Sequence, residues 1–270
     1  MIDTFNIQRL QFNLNHIKPI EILTRNHTNI NDHYFDMHYE FEIGILVKGK
    51  MKRSYLDSNL NLGSGDVWLC NMWEPHGFEI VETPCEVVVF VIAPRYLANC
   101  DVLNTNLLSP FLASPLKRPK SNDQNRSDLI ALAQKVKSTS KKKNNAEWAK
   151  LHFFQLFLLL NESWKAPTTV LNFEQRESIQ MALQLIFENR RLISTKEAAL
   201  ACNMSATKFR NLFKSQMKST FSDFALRYRI LGAMSQLNKS KDTQENVATQ
   251  WGFTDASHLH KYIKESNKEL

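Results

Sequence analysis

Two stretches near the end of the chain repeat one local design about fifty residues apart, and they limit the fold more than any other feature. In the first, Ser194-Thr195-Lys196-Glu197 has the form of a capping box, a hydroxyl for an early helical N–H and a carboxylate that reaches back. The helix that follows, Ala198-Ala199-Leu200-Ala201-Cys202, is short and rich in small residues, so another helix can pack closely on it. Asn203-Met204 makes the turn, because Asn tolerates the left-handed backbone. Ser205 caps the next helix, with Phe209, Leu212 and Phe213 inward and Thr207, Lys208, Arg210, Asn211 and Lys214 outward. In the second stretch, Asp242-Thr243-Gln244-Glu245 opens a helix holding Val247, Ala248 and Trp251, and Gly252-Phe253 turns the chain. Thr254 then caps a last helix, with Leu259, Tyr262 and Ile263 inward and Ser257, His258, His260, Lys261 and Lys264 outward. A short helix, a tight turn and a second helix with a polar, basic outer face is the form that enters a major groove.

Helices also flank these units. Phe173 to Asn189 is amphipathic, with Ile179, Leu183, Ile186 and Phe187 on one face. Thr220-Phe221-Ser222-Asp223 opens a long helix to about Asn238, and Gly232 inside it costs about 1 kcal/mol relative to Ala where exposed.

The front of the chain has a different rhythm. Phe41, Ile43, Ile45 and Val47 alternate on one face, and Lys48-Gly49-Lys50 reads as a turn. A segment from Met51 to Leu56 ends at Asp57-Ser58-Asn59. Gly63-Ser64-Gly65-Asp66 and Glu74-Pro75-His76-Gly77 are further turns, and Glu86 to Ile92 is a β-branched run. Short strands at this spacing predict an antiparallel sandwich or barrel. Ser109 to Ser127, rich in Pro, Ser, Asn and Lys, reads as a linker. Helices are expected over about Asp128–Lys137 and Glu147–Ser163, the second apolar over more than half its girth. Ala166-Pro167-Thr168-Thr169 marks a second boundary. The division expected is 1–115, 116–170 and 171–270.

Charge follows the same division. Residues 1–115 carry 8 Lys/Arg against 13 Asp/Glu, residues 116–170 carry 11 against 4, and residues 171–270 carry 15 against 10. An acidic front joined to a basic back puts a polyanion such as DNA against the back only. No apolar run approaches the ~20 residues of a membrane span, and no signal peptide is visible at the start, so a cytoplasmic protein is expected. Cys70, Cys85, Cys100 and Cys202 form no C-x-x-C pair and read as reduced thiols in apolar surroundings.

Two resemblances sharpen this. His38-Tyr39-Glu40-Phe41-Glu42, Val47-Lys48-Gly49, Leu62-Gly63-Ser64-Gly65-Asp66-Val67-Trp68 and Pro75-His76-Gly77-Phe78 resemble the small cupin-like sensor barrel of bacterial regulators, over about residues 30–95. Residues 174–265 are similar to the DNA-binding domain of the AraC/XylS family. The carrying residues are Ser194-x-x-Glu197-Ala198-Ala199, Met204-Ser205, Phe209-x-x-Leu212-Phe213-Lys214, Arg227-Tyr228-Arg229-Ile230, Val247-Ala248 and Gly252-Phe253-Thr254-Asp255-x-Ser257. The fold implied is α+β, an N-terminal antiparallel β-barrel with connector helices and a C-terminal all-α domain of two helix-turn-helix units. Asn211 stands where the family commonly has Arg, and Gln244 and Asn246 where it has an aliphatic and Glu. The sequence stops at Leu270, before the family's closing S-P-x-x-Y-R segment. The second unit is therefore expected to be the weaker.

The function this implies is a sequence-specific transcriptional regulator, not an enzyme, that responds to an effector through its barrel. Its partners would be double-stranded promoter DNA, a small-molecule effector, RNA polymerase for an activator, and a second copy in a homodimer. By position, Thr207, Arg210, Asn211, Ala256, Ser257, His260 and Lys261 would face bases, in successive major grooves about 34 Å apart. Lys208, Lys214 and Lys264 would meet phosphates. In the barrel, His38, Glu40, Glu42, Trp68, Trp73 and His76 are the ligand-binding candidates. His38, Glu40 and Glu42 would share one strand face with His76 across from them, a set of the kind that holds iron, manganese or zinc. Glu40, however, replaces the second histidine of an enzymatic H-x-H, so no metal or other cofactor is expected. A metal-dependent cupin enzyme with a helical appendage, and a regulator controlled by a protein partner, are the alternatives.

Overall fold

The computed structural model describes residues 7–30, 33–55, 58–100, 106–142, 144–162, 164–165, 173–217, 219–239 and 242–266. The expected boundary at Ala166–Thr169 lies outside them. The chain separates into two compact units, one of Leu10–Phe173 and the other chiefly of Glu174–Leu270.

The first unit is organised by two long strands. After the short strand β1 (Ile7–Arg9) come β2 (Ile20–His27), β3 (His33–Met37), β4 (Phe41–Tyr55), β5 (Asn59–Leu62), β6 (Val67–Cys70) and β7 (His76–Ile92). β4 and β7 pair antiparallel from Phe41↔Ile92 to Tyr55↔His76, with register shifts between Leu46 and Met51. Lys48-Gly49-Lys50 is therefore not a turn between two strands but a bulge within one. Gly49 has φ of +89°, and a Cβ there would lie 2.6 Å from the Glu82 carbonyl oxygen. Only glycine fits that bend. Likewise, Glu86–Ile92 is the second half of one strand that begins at His76.

The bend lets each long strand serve two layers. One layer joins β2, the C-terminal half of β7, the N-terminal half of β4, and β6. The other joins β3, the rest of β7 and β4, and β5. Among the described residues no pairing joins β2 or β3 to β5 or β6. The expected antiparallel, cupin-like sheet is thus present as an open, curved cup rather than a closed barrel.

Both faces of the first layer are buried, and alternate residues feed two cores. Phe41, Ile43, Ile45, Val88, Phe90 and Ile92 pack outward against helices. Leu46, Trp68, Val87, Val89 and Val91 pack into the cup. The β-branched run in β7 is explained by this double burial. The helices are α3 (Arg126–Thr139) and α4 (Asn145–Asn161), which give Leu129, Leu132, Val136, Phe153, Leu156 and Phe157 to the outer core.

The expected linker at 109–127 is packed structure. It holds the short helix α2 (Ser109–Leu112), a 3-10 turn (Pro115–Lys117) and the start of α3, after α1 (Pro94–Ala98). Arg118, only 4% exposed, makes a two-pronged pair with Glu74 at 2.7 and 2.8 Å and donates to the carbonyls of Ala113 and Leu69. Pro and Ser there terminate short helices rather than solvate a loop.

The second unit contains α5 (Phe173–Glu177), α6 (Gln180–Glu188), α7 (Thr195–Ala201), α8 (Ala206–Met217), α9 (Phe221–Lys239), α10 (Gln244–Gln250) and α11 (Ala256–Ser266). The single helix expected over 173–189 is thus two, interrupted at Ser178–Ile179. Ile179, Leu183 and Ile186 are still its buried face.

Asp66 fastens α3 to the sheet. Its carboxylate accepts from the Gly63 amide at 2.8 Å, the Ser121 hydroxyl at 2.5 Å and Arg126 Nη2 at 2.8 Å. Burial works against the charge, but these three donors outweigh it and hold the carboxyl below its usual range. Its stabilisation should be complete above the unfolded carboxylate pKa, about 4, and fade as pH falls through the lower folded value. Asp66→Asn should cost about 1–2 kcal/mol at neutral pH and flatten that acid limb. Urea unfolding across the acid range checks both the loss and its pH dependence.

Candidate nucleic-acid interface and sheet cavity

The two repeats fold alike, residue by residue. Ser194 caps α7 through the Glu197 amide at 3.1 Å, and Thr243 caps α10 through the Asn246 amide at 3.3 Å. Asn203 (φ 52°) and Gly252 (φ 70°) take the left-handed position of each turn. Met204 N then donates to Ala199 O, and Phe253 N to Ala248 O, each at 2.9 Å. Each of these pairs is 49 positions apart in the chain. Beyond the turn the second unit has one extra residue. Asp255, not Thr254 as expected, therefore caps α11, accepting from the His258 amide at 2.7 Å. Glu197 does not reach back as a capping box would; it pairs instead with Arg191.

On α8, Phe209 and Phe213 are buried against Phe221. Thr207, Lys208, Arg210, Asn211 and Lys214 are all exposed. On α11, Leu259 is buried, and Ser257, His260, Lys261 and Lys264 are exposed. Ala256 is half-buried, and its amide donates to the Glu245 carboxylate at 3.2 Å. His260 Nε2 meets Gln244 Oε1 at 2.9 Å, so this side chain is held by the preceding helix. His258, expected outward, turns inward against Phe253 and Tyr262.

α9 secures the second unit. Arg229, 5% exposed, donates to the carbonyls of Trp251 and Gly252 at 2.7 and 2.6 Å and lies over the Phe253 ring. Trp251 is the C-cap of α10 and Gly252 the left-handed turn residue after it, so Arg229 clamps the turn itself. The Trp251 ring packs against Gly232.

In the first unit a cavity of about 290 Å³ opens inside the cup. Phe12, Leu23, Met51, Phe78, Val87 and Val89 are among its apolar walls, and Arg25, Asp36, Glu42 and Arg53 are among its polar groups. Glu42 Oε1 accepts from Arg53 Nη2 at 2.5 Å and from the Trp68 indole at 2.6 Å. Burial pushes the Glu42 carboxyl up, but Arg53, His38 and His76 pull it well below the usual range. Burial likewise opposes a charge on His76, while Cys70 and Asp36 hold its imidazole well above the usual range.

Of the six residues expected to bind a ligand, Trp68 and Glu42 line the cavity. His38 and His76 are fully buried beside Glu42. His38 and Glu40 sit in the corner between β3 and β4 rather than on a shared strand face with Glu42. Trp73 is buried against Tyr39. Sequence reading missed Arg53 and Asp36. The signals were present: Arg53 alternates with Met51 and Tyr55 on an inward face, and Asp36 stands two residues before His38. All four cysteines are free thiols, Cys70 and Cys85 buried.

Two helix pairs with exposed polar second helices, tied together by one long helix, define a DNA-binding protein of the helix-turn-helix class. Residues 198–269 match the family model of a helix-turn-helix domain, and that domain is AraC-type. Comparison with curated proteins gives no match. Among solved structures, ToxT from Vibrio cholerae O395 is similar over 92% of this chain and 93% of its own, with a TM-score of 0.54 at 14% identity. Wild-type ToxT from V. cholerae strain SCE256 with unsaturated fatty acid bound is similar over 91% of each chain, with a TM-score of 0.50 at 13% identity. ToxT from strain O395 bound to (E)-4-(8-methylnaphthalen-1-yl)but-3-enoic acid covers 92% of this chain and 94% of its own, with a TM-score of 0.51 at 15% identity. At these identities the likeness is one of fold. The chain thus carries an AraC-type helix-turn-helix domain behind a sheet domain with the ToxT fold, the make-up of a DNA-binding transcription regulator. No helix among the described residues is long and apolar enough to cross a membrane.

The Trp251–Gly232 contact yields a test of how the second unit is held. Helix propensity favours Ala over Gly inside α9 by about 1 kcal/mol. A Cβ at residue 232, however, would lie 1.9 Å from Trp251 Cη2. The ring is rigid, and its indole N–H is fixed to Gln236 Oε1 at 2.9 Å. Overpacking should win, so Gly232→Ala should destabilise the helical unit by about 1–3 kcal/mol. Chemical denaturation followed by Trp fluorescence reads it; equal or greater stability would contradict the packing.

Proposed function

We propose that the chain is a sequence-specific transcriptional regulator in which the exposed faces of α8 and α11 read promoter DNA and the cup binds a small effector. The observation that carries this is the matched pair of helix-turn-helix units with every expected polar residue of α8 exposed. Arg210 offers two parallel donors to a guanine, and Asn211 a donor and an acceptor to an adenine. Lys208, Lys214 and Lys264 meet phosphates, and Ser257, His260 and Lys261 take the base-facing places of α11. Ala256 contributes its methyl group to a thymine. Because Gln244 holds His260 and Glu245 occupies the amide of Ala256, α11 has fewer free donors than α8 and reads less sequence.

The effector is a small, largely apolar molecule with one polar end. The walls of the cavity support this, and so do the ToxT complexes, whose ligands are both apolar acids. Arg25 at the cavity is the cation that would meet a carboxylate. The exposed pair Leu151 and Leu158, one face of α4, supports a homodimer. An activator that contacts RNA polymerase fits the same domain order, as does a cytoplasmic site of action. The helix-turn-helix match supports a regulator rather than a cupin enzyme.

Fluorescence anisotropy on the DNA upstream of its own gene tests the assignment. Arg210→Ala should lower specific affinity by about 1–3 kcal/mol and relax the preference for one base. Lys214→Ala should weaken all sequences alike and reduce the salt slope by about 1. Unchanged affinity and preference in Arg210→Ala would remove α8 as the reader.

A further inference from the structure

We propose that Arg190 and Arg191 clasp the two helix-turn-helix hooks together, and that this clasp fixes the offset at which α8 and α11 meet successive grooves. The inference rests on the DNA-reading assignment and adds to it a means of rejecting sites whose two halves are wrongly spaced.

The two arginines lie between α6 and α7, in the segment that leads into the first hook. They reach different partners. Arg191 forms a two-pronged pair with Glu197 of α7, one contact at 3.1 Å. Arg190 reaches the second hook. Its Nη1 donates to Gln236 Oε1 of α9 at 3.3 Å and to Gln250 Oε1 of α10 at 3.4 Å. Its guanidinium carbon stands 5.4 Å from the centre of the Trp251 ring, within the range of cation–π attraction. The receiving groups are themselves fixed. Gln236 Nε2 donates to Gln250 Oε1 at 2.8 Å, and the Trp251 indole donates to Gln236 Oε1 at 2.9 Å. With Arg190 in place, each of the two amide oxygens accepts two hydrogens, one for each lone pair.

The backbone makes the same connection independently. A Cβ on Gly252, the turn residue of the second hook, would lie 2.9 Å from the Leu192 amide nitrogen and 3.1 Å from Arg191 Cα. The entry to the first hook is thus packed against the turn of the second. This gives residue 252 a steric need for glycine besides its φ of 70°.

That contact changes the mechanics of the helical unit. Each hook packs on its own stretch of α9. Phe209 and Phe213 meet Phe221 at its start, and Val247, Ala248 and Trp251 meet Ile230 and Ala233 further along. Joined through α9 alone, each hook would be free to rock on that helix without disturbing the other. A third contact, hook to hook, closes a ring of three and removes the free pivot. Arginine suits the position because its planar fork bridges two oxygens and its face lies against an indole, where a lysine supplies one point charge. Arg190 is therefore a positioning residue. Its effect is on spacing: one inserted base pair turns the second groove by about 35° and moves it by about 3.4 Å.

The test uses the full chain. Footprinting with wild-type protein locates the site. Anisotropy then measures binding to that site, to the same site with one base pair inserted or removed between its halves, and to a duplex that keeps only the α8 half. Wild-type protein should lose about tenfold or more with the altered spacing. Arg190→Met, which keeps the length of the side chain without its donors, should lose only about threefold while binding the half-site as wild type does. Arg190→Lys should fall between them. A merely structural role would weaken all the duplexes alike. A second measurement needs no DNA. Spin labels on azide-bearing amino acids at the exposed positions of Leu200 and Thr249 report the separation of the hooks by pulsed electron paramagnetic resonance. The distance distribution should be narrow in wild type and broader in Arg190→Met. Equal spacing penalties, or equal widths, would overturn the clasp. A wild-type chain that selects no sequence would overturn the DNA-reading assignment instead, and the two widths, measured without DNA, tell that failure from this one.

Discussion

A sheet whose two faces must both be buried governs the N-terminal unit. β4 and β7 supply nearly all its length, and the first half of β4 and the second half of β7 have apolar side chains pointing both ways. Such a pair cannot stay flat with water on one side. The helices α3 and α4 cover the outer face, and the bulge at Gly49 folds the remainder over the inner one. The cavity is a consequence of this bend: two layers sharing the same strands enclose a space that Trp68, Phe78 and Met51 only partly fill. Glycine at residue 49 therefore acts on the ligand space from a distance, because the direction of every side chain in the second layer depends on that kink.

The helical unit rests on a different economy. Its two hooks are short, and a helix of seven residues has little stability by itself. Each is fixed by caps, by a left-handed turn residue and by packing on a longer helix. The second hook has lost the family's usual aliphatic at Gln244, yet its first helix is firmly placed. Arg229 binds the carbonyls of its C-cap and of the turn residue after it, Trp251 packs against Gly232, and Glu245 caps the helix after it. The Arg-Tyr-Arg motif is thus structural at Arg229, whereas Arg227 is exposed.

Much of this was legible in the residues. Hydroxyls before small-residue helices, and Asn or Gly at the turns, marked both hooks because those choices answer local backbone needs. Alternation marked the strands. What was not legible depended on distance. Lys48-Gly49-Lys50 satisfies a turn and a bulge equally well, and only β7 running alongside decides between them. The one-residue lengthening before α11 moved the cap from Thr254 to Asp255, two residues of equal capping ability. The stretch 109–127 looked like solvent-facing linker because its anchor, Arg118, finds its carboxylate 44 positions earlier in the chain. In the cup, the histidines were visible as motif residues, but Asp36 and Arg53 gain meaning only from strands that the sequence does not place side by side.

The buried charges of the cup form a connected structure rather than separate pairs. Glu42 is held by Arg53 and Trp68 and faces His38 and His76; His76 is fixed to the backbone of Glu74; and the Glu74 carboxylate holds Arg118, which is also bonded to Leu69 and Ala113. Breaking a buried pair in this series by removing one side costs about 3–5 kcal/mol. The series therefore joins the cavity floor to the 106–126 segment, whose short helices are fixed to the sheet through Arg118, while a separate anchor, Asp66, fixes the start of α3.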